Sequence, residues 1–224
     1  MTLLPVGPPG QEIGTLVPED SLGSLESRRP GSSPVRHLAI VSRPEAALRC
    51  IRTVRALRAR SRSELESIAI YTEAEQHAPF VRWADLAVQW GGCPGDFDAL
   101  FRALHRTGAD AIWPGWGALA RDPAFAGRVV GEGFDFVGPS ARSMWILGDA
   151  TRAQDLAETV GVASVTHLLE PGRRIDVTIV GDRHGHVVAL ASSECTRGPE
   201  AGGGIEEAPP PGLGARVVRA TCDA

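Results

Sequence analysis

A chain of 224 residues, 43% apolar and 22% charged, is long and apolar enough to fold around one substantial core, and its net charge of -4 is mild. That balance gives no nucleic-acid groove and no basic membrane-surface patch, so neither nucleic acid nor membrane is expected as a partner. No apolar run approaches the length of a membrane span, and the opening MTLLPVGPPGQEIG has neither a basic nor an apolar signal region, which predicts a cytoplasmic protein.

Residues 1–34 are rich in Pro, Gly, Ser and Glu, a composition that buries too little to offset chain entropy, and a disordered tail is predicted there. From RHLAIVS onward, apolar runs of strand length alternate with helical patterns. The predicted strands are His37–Val41, Ser67–Tyr71, Leu86–Gln89, Ala111–Trp113 and Phe134–Val137. Between the first two, Ala47, Ile51, Val54 and Leu57 share one helical face, with Ser42 as the predicted cap and Pro44 in the first turn. A second helix starts at Asp96, offers Phe97, Leu100 and Leu104 to the core and stops at Gly108; DPAFAGRVVGEG is a third. The fourth, capped by Asp149, closes on Gly161. Strands alternating with helices predict a parallel sheet covered on both faces. After Val165 the pattern changes: Ile175, Val177 and Ile179 alternate with Asp176 and Thr178, then a polar turn leads to the apolar run Val187–Ala191, an antiparallel hairpin. EEAPPPG and a short helix, GARVVRATC, follow.

All 23 basic residues are arginine. The absence of lysine excludes a P-loop lysine, a Schiff base and a biotinyl- or lipoyl-lysine. Cys50, Cys93, Cys195 and Cys222 are widely spaced and read as reduced thiols, and Cys195 has no histidine nearby in sequence to make it a nucleophile. Gly115, Gly117 and Ala120 of WPGWGALA fit a dinucleotide fingerprint, with Asp135 downstream. That fingerprint belongs on the first strand of a unit, and Asp135 lies inside a strand, so a tight turn built from small residues is the favoured reading. His184 and His186 read as a polar turn rather than a metal site. Arg49, Arg52, Arg55 and Arg58 read as a solvated helix face, and Glu206 and Glu207 as exposed acids. No residue is assigned a catalytic or metal-ligating role.

The segments VSRPEAALRCIRTVRAL, GADAIWPGWGALARDPAFA, FVGPSARSMWILGDA and RRIDVTIVGDRHGHVVALASSECTRGPEAGGGIEEAPPP occur in this order in a pattern that resembles the biotin carboxylase family. WPGWG and MWILGD are similar to the biotin carboxylase part of multidomain acetyl-CoA carboxylases. The resemblance implies an α/β fold: a Rossmann-like parallel sheet, the pre-ATP-grasp domain, at 35–148, then an antiparallel hairpin remnant of an ATP-grasp domain at 149–224. It also implies ATP, magnesium, bicarbonate and a biotin carrier as the ancestral reactants. This chain departs from the family where charge is needed. The lysine that follows Gly-Asp in the family is Ala150 here. The central lid is shortened to a direct passage from VGVASV to THLLEPGRRIDV. The basic run between Cys195 and Glu206-Glu207-Ala208-Pro209 is replaced by Gly198, Pro199, Glu200, Ala201, Gly202 and Gly203. The family's metal-binding glutamates, catalytic arginine and C-terminal lobe have no counterpart in these residues.

Losing one preorganised charge-stabilising donor costs a rate factor of about 10²–10³, and several are changed together here. The expectation is therefore a protein without carboxylase activity and without a required cofactor, ATP and magnesium entering by resemblance alone. It would serve as an interaction module for a biotin carboxylase, another carboxylase subunit or a second copy of itself. In the family the helix matching Pro44–Arg58 contributes to a dimer interface, where Arg49 and Arg52 match interface arginines and Ala56 replaces an acidic residue. Two alternatives follow from the same resemblance: one piece of a split biotin-dependent carboxylase completed by another chain, or a decayed gene fragment.

Overall fold

Strand β1 (His37–Ile40) is apolar on both faces, which suits only the middle of a sheet covered on both sides. It pairs in parallel with β2 (Glu66–Tyr71) on one flank and β4 (Ala111–Trp113) on the other; β3 (Leu86–Gln89) and β5 (Asp135–Phe136) complete the order β3-β2-β1-β4-β5. The computed structural model describes residues 34–61, 63–92, 95–161, 174–182, 186–197 and 204–212. It divides into one compact unit within Met1–Ala163 and a second within Ser164–Ala224. The predicted tail, His184, the replaced run 198–203, Cys93, Cys222 and the predicted helix GARVVRATC lie outside the described residues.

The period of two along the strands sorts the core of the first unit into two layers. Leu38, Ile40, Ala69 and Ala111 face α1 (Pro44–Ser61) and α2 (Pro79–Trp83), packing with Ala47, Ile51, Val54 and Phe80. Ala39, Val41, Ile68, Ile70 and Ile112 face α3 (Phe97–His105), α4 (Pro123–Gly131) and α5 (Ala141–Leu147), packing with Leu100, Phe101, Leu104, Phe125 and Met144. Each fully buried Ile, Leu or Phe contributes about 1.5–3 kcal/mol of transfer free energy. All five predicted strands are present. Leu57, expected on the apolar face of α1, is 44% exposed because the helix's buried stripe ends at Val54. α2 and α5 were not expected: they are only five and seven residues long, too short to establish a helical period.

Aspartates set the helix starts. Asp96 accepts the Ala99 amide, Asp122 those of Ala124 and Phe125, and Asp149 that of Arg152 at the start of α6 (Ala150–Thr159). Ser42 does not cap α1. Its hydroxyl, buried at the end of β1, has no hydrogen-bond partner.

One polar tie fixes the sheet's β2–β3 edge. Ser67, fully buried on β2, donates its amide and hydroxyl to Asp85 Oδ2 at 2.8 and 2.7 Å, and Arg58 Nη1 donates to Asp85 Oδ1 at 2.7 Å. Partial burial raises the Asp85 pKa, but the Ser67 and Arg58 donors outweigh it and hold the carboxyl below its ordinary value.

The second unit is a three-stranded antiparallel sheet in the order β6 (Ile175–Gly181), β7 (Val187–Arg197), β8 (Gly204–Glu207). The expected hairpin is present and gains β8, where Glu206 and Glu207 were read only as exposed acids. A register shift between Thr178 and Ile179 leaves Leu190 as an extra residue in β7. Pairing places Ile175, Val177, Ile179, Val187 and Ile205 on one face together with Ser192, Glu194 and Glu207, and Asp176, Thr178, Ser193 and Glu206 on the other together with Val180 and Val188. Ser193 donates to Glu206 at 2.6 Å. On the first of these faces, Ile179, Val187 and Ile205 are 65%, 66% and 75% exposed.

Candidate functional site

In the five-stranded sheet the chain runs outward in both directions from β1 and β4, and such a switch leaves a crevice beyond the carboxyl ends of those strands. A cavity of about 620 Å³ lies there. Val41, Ile70, Trp90, Phe97, Pro114 and Leu119 supply apolar walls, while Ser42, Arg43, Thr72 and Glu75 supply polar groups. Trp116, on the turn after β4, also lines it and is 62% exposed, the cost of presenting an indole at the rim instead of burying it.

Gly115 shapes this turn. Its φ is +71°, and a Cβ there would stand 1.9 Å from Ser42 Oγ. The close approach buries the Ser42 hydroxyl, and a buried hydroxyl without a partner costs about 1–3 kcal/mol. The turn runs into a single 3₁₀ turn, Leu119–Arg121, and α4 starts only after Asp122, so the turn reading of WPGWG is the one the geometry matches. Asp135 lies within β5, opposite Ala111. Glu75 accepts the amide and hydroxyl of Thr72 through Oε2 at 2.9 and 2.8 Å, and Trp90 Nε1 donates to Asp96 O at 2.9 Å. Among the described residues the Arg43 guanidinium has no ion pair or hydrogen bond.

The expected departures from the family lie elsewhere in the fold. Ala150 is the first residue of α6. The nearest cation in sequence, Arg152, is turned back on α5: its guanidinium stacks on Trp145 at 3.9 Å, and Nε donates to Trp145 O at 3.0 Å. A nucleotide phosphate at this helix start would meet a methyl group and a capping carboxylate already paired with Arg152 Nη2 at 3.8 Å. At this helix start the Arg152 guanidinium is already engaged, and Ala150 adds no charge. No cluster of three or more His, Cys, Asp or Glu side chains forms among the described residues. His186 pairs with Asp182 at 2.7 Å within a turn. Cys195 lies opposite Glu206 in the β7–β8 register, and burial pushes the Cys50 thiol up to about 11, keeping it protonated at neutral pH.

On α1 the four arginines divide by role. Arg52 and Arg55 stack on Trp83 at 5.3 and 5.4 Å, and Arg58 belongs to the Asp85 tie. Arg49 is 78% exposed and meets only Glu45, at 3.5 Å. The expected solvated face is thus partly a clamp on α2, with Arg49 projecting beyond it.

The strand order, the two-layer core and the crevice define a Rossmann-like α/β domain followed by a small antiparallel sheet. Residues 34–144 match the family described as biotin carboxylase, N-terminal domain, and the chain belongs to the biotin carboxylase family. It is 33% identical over 168 residues to the biotin-dependent acyl-coenzyme A carboxylase alpha3 subunit of Mycobacterium leprae, covering 72% of this chain and 27% of that one. Biotin carboxylase of Pseudomonas aeruginosa is 33% identical over 131 residues, covering 56% of this chain and 28% of its own. The complete multifunctional pyruvate carboxylase of Rhizobium etli superposes with a TM-score of 0.73 at 30% identity, over 85% of this chain and 18% of that one. The chain thus spans little more than a quarter of the two sequence relatives it matches here.

Sequence reading did not find the crevice as a site. A tryptophan in a glycine-rich turn with no apolar stripe to bury it was the available signal. The convergence of Ser42, Glu75 and Trp116 needed the strand order.

Proposed function

We propose that this chain is a non-catalytic biotin carboxylase-like module that associates with a carboxylase subunit through the outer face of α1. The observation that carries the reading is Ala150 at the first position of α6, where the family places its lysine, with Arg152 already engaged by Trp145 and the Asp149 cap. Replacement of the basic run at 198–203 and the shortened passage before Arg174 support it from the sequence. Residues 35–148 are the family's N-terminal domain in this reading, and 149–224 derive from the ATP-grasp part. Arg49, exposed and held only by an i,i+4 pair worth about 0.3–0.5 kcal/mol, is free to be recruited by a partner; Arg52 acts by fixing Trp83 beneath it. The free thiols of Cys50 and Cys195 suit a cytoplasmic setting.

The test is co-purification of the full chain from its native lysate, with Arg49→Glu alongside. A carboxylase subunit retained by the wild type and lost with Arg49→Glu is expected. No carboxylase in either eluate contradicts the proposal.

A second reading, one piece of a split carboxylase, draws on the exposed side chains of Ile179, Val187 and Ile205, which a covering layer from another chain would bury. Under it, mixing with that chain restores bicarbonate-dependent ATP cleavage. No activity in the mixture eliminates it.

A further inference from the structure

The crevice holds polar groups that the protein itself does not satisfy. Arg43 and Glu75 line the same cavity yet form no salt bridge with each other, and Thr72 occupies only one of the two Glu75 oxygens. A cation and an anion left apart in one apolar pocket disfavour a simple anion, which Glu75 repels, and a simple cation, which Arg43 repels. They favour a ligand carrying both charges. The walls supply the rest of the specification: Phe97, Trp90 and the outward Trp116 present aromatic surface that aromatic rings contact well. At about 620 Å³ the cavity is within the usual range for a small-molecule site.

We propose that this crevice binds a zwitterionic aromatic α-amino acid, its carboxylate on Arg43, its ammonium on the open oxygen of Glu75, and its ring on the Trp116 and Phe97 walls. Binding would cover Trp116. The inference uses only residues 41–119 and stands independently of the carboxylase-partner reading.

Titration calorimetry on the full chain with L-tryptophan, tryptamine and indole-3-propionate tests it. The expected result is saturable one-to-one binding of L-tryptophan, with each one-charge analogue weaker by about tenfold, the loss of one charge-assisted contact. Arg43→Gln should erase the advantage over tryptamine, and Glu75→Gln the advantage over indole-3-propionate. Ala118→Trp, on the exposed rim, should block all three while leaving the thermal melt unchanged. Arg43 is exposed, so loss of fold does not confuse its result; a melt of Glu75→Gln checks the Thr72 turn. Absence of saturable L-tryptophan heat at millimolar concentration overturns the proposal. So does equal binding of the three ligands by the wild type, or variants that keep wild-type selectivity.

Discussion

The two sheets of this protein use similar residues and reach opposite outcomes. In the parallel sheet, Ala39, Ile40, Ile68 and Ile112 are wholly buried, because helices follow the strands and cover both faces. In the antiparallel sheet, Ile179, Val187 and Ile205 have the same chemistry and remain more than 60% exposed. Among the described residues, burial follows whether helices cover the faces of a strand, not the apolar character of the strand alone. The parallel sheet therefore carries the stability of its unit and positions the crevice, while the small sheet presents exposed apolar side chains whose energy is realised only if something covers them.

This contrast is sharpest under truncation of core side chains. Phe80→Ala, which empties a fully buried site between β1, β2 and α1, should cost about 3–5 kcal/mol in denaturant unfolding followed by tryptophan fluorescence. A cost below 1 kcal/mol would mean that the α1–α2 layer is not packed as described. Gly115→Ala comes next: a side chain at φ +71° that collides with Ser42 should cost about 1–3 kcal/mol. Pairing it with Ser42→Gly, which removes the colliding atoms, should recover part of the loss. Additive losses would show that the collision is not the cause.

Asp85→Asn probes the polar edge of the same sheet and should cost about 1–3 kcal/mol, since Ser67 and Arg58 lose a charged partner. The sign of its pH dependence follows from the lowered folded-state pKa. The unfolded state binds the proton more readily, so the stabilisation is fully present above the ordinary value of 3.8 and disappears as pH falls through the lower folded-state value. The wild-type advantage over Asp85→Asn should therefore be constant at neutral pH and shrink in acid. An advantage that grows on acidification would contradict the tie. The smallest effect is expected from Ile205→Ser, which should change the stability of the isolated chain by no more than about 0.5 kcal/mol. A loss as large as that of Phe80→Ala would mean that this side chain is covered.

Much of the parallel sheet was legible because both-face burial turns each strand into an unbroken apolar run, and aspartate caps mark the helix starts at Asp96, Asp122 and Asp149. Short elements such as α2 and α5 were not legible, since a turn or two of helix has no period to read. The third strand, β8, was hidden because Gly204, Glu206 and Glu207 have low strand propensity; their strand state comes from pairing with β7. At the candidate site, the turn at Gly115 and Gly117 could be read locally. The failure of Ser42 to cap α1 could not, because the helix begins at Pro44 and leaves Arg43 in the cap position.

The most direct test of the central claim is titration calorimetry of magnesium ATP into the full chain. With Ala150 at the helix start and Arg152 held on Trp145, the account predicts no saturable binding at millimolar nucleotide. Saturable binding in the micromolar range would contradict it and return this chain to the nucleotide-using members of its family.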